Sequence, residues 1–104
     1  MKPDRKHRLE AAGFKVGSAE EFLGLTPEEN SVVALRLSLA GEVRRRRCLL
    51  KCSQAELAKR IGSSQSRVAK IEAAEADVSL DLLFRALLAT GAKMRDVGKL
   101  VSAA

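Results

Sequence analysis

Apolar residues recur at helical spacing along most of the chain, and the pattern breaks at a few short polar or glycine-containing segments. From Pro27 to about Cys48, Val32, Leu35, Leu39 and Val43 form one stripe, broadened by Val33, Leu37 and Ala40. Repeats of this kind predict a long amphipathic helix. Gly41 lies inside it at a cost of about 1 kcal/mol relative to Ala, marking either a break or a close crossing. Leu57, Ile61, Val68 and Ile71 predict two shorter helices sharing a core, joined at Gly62, where a tight turn needs positive φ. Ala58 sits where those helices pass closest. Leu80, Leu83, Phe84, Leu87 and Leu88 predict a fourth helix that stops near Gly91. Met94, Val97, Leu100 and Val101 suit a short last helix, interrupted by Gly98. Residues 4–12 are expected to form a weak helix ending at Gly13.

Three helix starts carry capping chemistry. Ser18-Ala19-Glu20-Glu21, Thr26-Pro27-Glu28-Glu29 and Ser53-Gln54-Ala55-Glu56 each place a hydroxyl three residues before a carboxylate. That reciprocal box satisfies backbone donors that a helix start leaves orphaned, and Pro27 stands where a missing N–H costs least. The predicted fold is therefore all-α: a bundle of about five helices over residues 27–104, preceded by an N-terminal arm over residues 1–26. The arm carries Phe14, Val16, Phe22, Leu23 and Leu25, which either pack on the bundle or cover a partner protein.

Within residues 53–72 the polar positions are as ordered as the apolar ones. Gln54, Gln65, Ser66, Arg67 and Lys70 face away from the predicted core, and Ser64 caps the second helix. That is the layout of a DNA-binding helix-turn-helix, whose second helix enters the major groove with its first turn. Gln65 can pair bidentately with adenine and Arg67 with guanine, Ser66 is short and permissive, and Lys70 reaches a base or a phosphate. Gln54, with Ser53, Ser64 and the amides at the start of the first helix, is placed to hold phosphate.

Charge strengthens this picture. The net charge is +6, yet residues 44–70 alone hold nine basic side chains against Glu56, a local +8. Excess charge focused there fits a polyanion. Arg44-Arg45-Arg46-Arg47 is partly structural, since cations are favoured in a last helical turn. Consecutive residues diverge by about 100° around a helix, so at most two of the four meet phosphate, with Arg46 and Arg47 preferred. A helical adaptor for an acidic protein would explain the charge but not Gln65, Ser66 and Arg67 at a capped helix start.

Composition excludes several other classes. No run approaches the roughly 18 apolar residues that span a bilayer, and the N-terminus lacks a signal peptide's apolar stretch, so a cytoplasmic, nucleoid-associated protein is expected. Cys48 and Cys52 are four apart, but His7 is the only histidine and no second cysteine pair completes a metal site. Both are expected to be buried thiols. No catalytic constellation and no cofactor motif emerge, so an enzyme is not expected.

The stretch SQAELAKRIGSSQSRVAKIE resembles the Xre family, the helix-turn-helix class of lambdoid phage repressors, and the resemblance runs from about residue 32 to residue 90. It implies a lambda-repressor-like fold and binding to double-stranded DNA. Positions like Gln54 touch phosphate in that family, and positions like Gln65, Ser66 and Lys70 face bases. With the leading segment GFKVGSAEEFLGLTPEE and the trailing IEAAEADVSLDLLFRALLATGA, the chain is also similar to HigA-like antitoxins. That likeness implies a homodimeric repressor that binds a near-palindromic operator of its own operon and neutralises a cognate ribonuclease toxin. Solitary Xre regulators share the same core and lack the toxin. The dimer surface falls either in residues 92–104 or at the end of the fourth helix. Two departures stand out: Lys51 and Ala74 occupy positions where family members commonly have Gly, which puts both loop shapes at stake.

Overall fold

The computed structural model describes residues 24–103. Within them lie five helices and no strand: α1 (Pro27–Leu49), α2 (Gln54–Arg60), α3 (Gln65–Glu72), α4 (Leu80–Ala89) and α5 (Met94–Ala103). The architecture is the lambda-repressor-like bundle expected. The helix at residues 4–12 and the Ser18 box lie outside the described residues. The chain divides into two compact units, Met1–Val33 and Ala34–Ala104, so the division falls within α1.

The predicted caps form. The backbone N–H of Thr26 donates to Glu29 Oε1 at 2.9 Å, and that of Glu29 to Thr26 Oγ1 at 3.1 Å. At α2 the Glu56 amide donates to Ser53 Oγ at 3.0 Å and the Ser53 amide to Glu56 Oε1 at 2.7 Å. Ser64 Oγ accepts the Arg67 amide and Ser79 Oγ the Leu82 amide. Each bond satisfies an orphan donor, worth about 1 kcal/mol per cap.

The core of the second unit joins every helix. Leu39, Ala40 and Val43 of α1 are buried with Leu57 and Ala58 of α2, Val68 and Ile71 of α3, Leu83, Ala86 and Leu87 of α4, and Val97 of α5. Cys52, Ile61, Val78 and Ala92 add apolar atoms from the connections. α2 packs most extensively on α3, and α4 meets both α2 and α5. Arginine side chains tie the connections down: Arg36 donates to the Val78 carbonyl, and Arg85 Nη2 to that of Ile61 at 3.2 Å.

Several details differ from the sequence expectation. α1 runs through Gly41, and a Cβ built there would meet nothing within 4 Å, so that glycine marks neither a break nor a close crossing. α5 likewise continues through Gly98. Leu37, assigned to the apolar face, is 59% exposed. Cys48 is exposed; only Cys52 is buried.

Three helices end in the same way. After α1 the Cys52 amide donates to the Arg47 carbonyl and the Lys51 amide to Cys48; after α2, Ser63 to Ala58 and Gly62 to Lys59; after α3, Glu75 to Lys70 and Ala74 to Ile71. This paired pattern is a Schellman end, which puts its penultimate residue in the left-handed region. Gly62 takes φ 64° there at no steric cost. Lys51 and Ala74 both adopt φ 55°. The loop shapes are thus kept without glycine, against a left-handed penalty of roughly 1–2 kcal/mol for each residue with a Cβ. Lys51→Gly is expected to stabilise the protein by about 0.5–1 kcal/mol, after the extra chain entropy of glycine is subtracted. Urea unfolding measures this; no gain would mean that Lys51 is unstrained.

Candidate nucleic-acid interface

The exposed surface of the α2–α3 pair holds the predicted reader. Gln65, Ser66 and Arg67 occupy the first turn of α3 and are exposed, as are Ser53, Ser64 and Lys70. Ser64 Oγ lies 3.2 Å from Ser66 Oγ as well as accepting the Arg67 amide. Lys70 Nζ stands 3.6 Å from Asp77 Oδ2, with both side chains largely in water. Such an exposed pair is worth little and exchanges readily.

Behind this surface lies a polar chain that reaches into the fold. Gln65 Nε2 donates to Gln54 Oε1 at 2.6 Å, joining the starts of α3 and α2. Gln54 Nε2 in turn donates to Glu72 Oε1 at 3.1 Å. Glu72 also accepts Arg47 Nε at 2.5 Å on Oε2 and Arg47 Nη2 at 3.0 Å on Oε1, a two-pronged pair between the ends of α3 and α1. Arg47 Nη1 completes the chain on the Cys52 carbonyl at 2.9 Å. The Arg47 side chain is 14% exposed and that of Glu72 only 5%. Burial pushes the Glu72 carboxyl up, but hydrogen bonds from Arg47 and Gln54 outweigh it and hold it below the usual carboxylate range.

The arginine run divides by partner. Arg45 pairs with Glu42 at 2.6 Å, and Arg46 reaches Glu42 at 2.9 Å and Asp96 at 3.5 Å. The preferred phosphate contacts, Arg46 and Arg47, each already engage carboxylates within the domain, Arg46 those of Glu42 and Asp96 and Arg47 that of Glu72. Glu72 lies outside the polar positions to which the sequence pattern points. A signal for the pair existed, because Arg47 continues the buried Leu39–Val43 stripe and Glu72 stands four residues after buried Val68. An apolar stripe that turns charged at both ends can bury a matched pair.

A helix pair with caps, a tight glycine turn and an exposed polar start to its second helix defines a sequence-specific DNA-binding regulator. A family model described as helix-turn-helix matches residues 43–97, just over half of the chain, and the chain belongs to that Xre or lambda-repressor-like family. The matched span starts later than the likeness noted from sequence and reaches into α5. No curated protein and no solved structure matches the chain. No helix among the described residues is long and apolar enough to cross a membrane.

The buried pair sets an acid response. The folded pKa of Glu72 lies below its ordinary 4.5, so its stabilisation is present above that value and lost as pH falls through the lowered one. Glu42, Glu56 and Asp96 are shifted the same way and add to acid loss. Glu72→Gln is expected to cost about 3 kcal/mol at neutral pH and to make the further loss toward acid shallower than in wild type. Urea midpoints across the carboxylate range test this, and equal acid slopes would show that the pair contributes nothing.

Proposed function

We propose that the chain is a dimeric transcriptional repressor of the antitoxin type, which autoregulates its own operon and neutralises a cognate toxin. The observation that carries the DNA side is the capped, exposed start of α3, where Gln65 is braced on Gln54 inside the most basic part of the chain. Gln65 keeps one amide hydrogen and its carbonyl oxygen beyond the bond to Gln54, which is what pairing with adenine needs. Arg67 has no carboxylate partner among the described residues and is free to fork onto guanine O6 and N7. Ser66 admits either strand's edge, and Lys70 can leave Asp77 for a base or a phosphate. Gln54, Ser53 and Ser64 hold the backbone and set register.

The antitoxin side rests on the likeness of the segments that flank the helix-turn-helix. Co-purification of the product of an adjacent, co-transcribed gene would support it. A chain that regulates its promoter with no such neighbour would be a solitary regulator instead.

We place the second copy on the apolar groove between α4 and α5. Phe84, Leu88, Met94, Val97, Gly98 and Val101 line about 480 Å³ there, and Met94 is 69% and Val101 46% exposed. A second copy seated there would take these exposed apolar side chains out of water. Val101→Glu is expected to leave the thermal transition of the monomer in place and abolish the dimer in sedimentation equilibrium; an unchanged dimer moves the interface elsewhere.

Two substitutions separate the proposed readers from the anchors. Arg67→Ala should relax preference at one base position at a cost of about 1–3 kcal/mol, whereas Gln54→Ala should weaken all duplexes alike. An unaltered base preference in Arg67→Ala, measured on duplexes selected for binding, would remove Arg67 from the groove.

A further inference from the structure

A second recess lies beside the proposed reader, where the end of α1 meets the start of α2 and the flank of α3. It encloses about 320 Å³ between Arg44, Arg47, Gln54, Ala69, Glu72 and Ala73. Its charges do not cancel. Glu72 is matched by Arg47 across two hydrogen bonds, so the pair is close to neutral as seen from the recess. Arg45 and Arg46 are held by Glu42. Arg44 remains exposed and, among the described residues, pairs with no carboxylate. Counting the described residues, the lining of the recess therefore carries a net positive charge of one, from Arg44.

Its walls also suit a phosphate. Ala69 and Ala73 follow Gln65 at intervals of four along one side of α3, and their methyl side chains leave that side low. Gln54 spends one amide hydrogen on Glu72 and keeps a second. An oxyanion seated there would take a forked pair from the Arg44 guanidinium and one hydrogen bond from Gln54. The Glu72 carboxylate, which also lines the recess, is neutralised through its two hydrogen bonds from Arg47, and this limits its repulsion of an anion.

We infer that this recess seats one backbone phosphate of duplex DNA and that Arg44, rather than Arg46 or Arg47, is its principal ligand. The inference rests on the DNA-binding reading above and adds to it the residue that anchors the strand beside α3.

Salt dependence tests it, since each phosphate neutralised contributes about 0.9 to the slope of log affinity against log salt. The full chain, Arg44→Ala and Arg45→Ala are titrated with a fluorescent duplex of about 30 scrambled base pairs over roughly 0.05–0.3 M salt. Arg44→Ala is expected to flatten the slope by about 1 and weaken binding about tenfold at 0.1 M. Arg45→Ala, whose charge is already engaged by Glu42, is expected to change both much less. Both side chains are exposed, and matching thermal melts confirm that each variant is folded. A wild-type slope in Arg44→Ala, or equal losses in the two variants, overturns the assignment of Arg44 while leaving DNA binding intact. A wild-type chain with no affinity for the duplex overturns the DNA reading and this inference together.

Discussion

The buried ion pair between Arg47 and Glu72 is the constraint from which the polar face of this domain follows. Taking two charges out of water costs several kcal/mol for each, and their attraction with good geometry only about offsets it. An apolar pair of similar volume could hold α1 and α3 together as well. What the ion pair adds is a fixed acceptor: Glu72 Oε1 also receives Gln54, and Gln54 receives Gln65. The side chain at the start of α3 is thereby linked to a carboxylate at its end through the first turn of α2. Apolar packing of Leu57, Val68 and Ile71 sets where the two helices cross. The polar chain sets the rotamers of the two glutamines that the packing leaves open.

The backbone makes the same choice of form over local ease. Three helices finish in one hydrogen-bonding pattern, but only the end at Gly62 has the residue that the pattern prefers. Lys51 and Ala74 hold a left-handed conformation because the flanking residues are committed: Cys52 is buried just after Lys51, and Ala74 packs against the core. Tertiary burial outweighs a local penalty of this size. The end of α1 is then held closely enough for Arg47 to reach both Glu72 and the Cys52 carbonyl.

Much of the fold was legible in the sequence because its signals are local. Caps at Thr26, Ser53 and Ser64 need only two residues three apart, and the buried positions of α2 to α4 follow from a 3.6-residue period. Gly41 and Gly98 misled for a related reason. Glycine lowers helix stability by about 1 kcal/mol, which a packed helix absorbs, so composition alone could not distinguish a weakened helix from a broken one. The roles within the arginine run were the least legible. Four identical side chains give periodicity no contrast, and their roles depend on Glu42, Glu72 and Asp96, two of which are distant in sequence. Cys48 shows the same limit: it is exposed in the last turn of α1 while Cys52 is buried in the connection that follows, a difference that their spacing does not carry.

Charge, geometry and family converge on duplex DNA, and the central claim is that the start of α3 reads its sequence. Selection of binding duplexes from a random pool tests it most directly. Reading by α3 in a dimer would enrich two inverted half-sites about one helical turn apart, near 34 Å centre to centre, with adenine and guanine preferred at fixed positions in each. A pool that binds with no sequence enrichment would contradict it, leaving a basic surface that holds DNA without reading it.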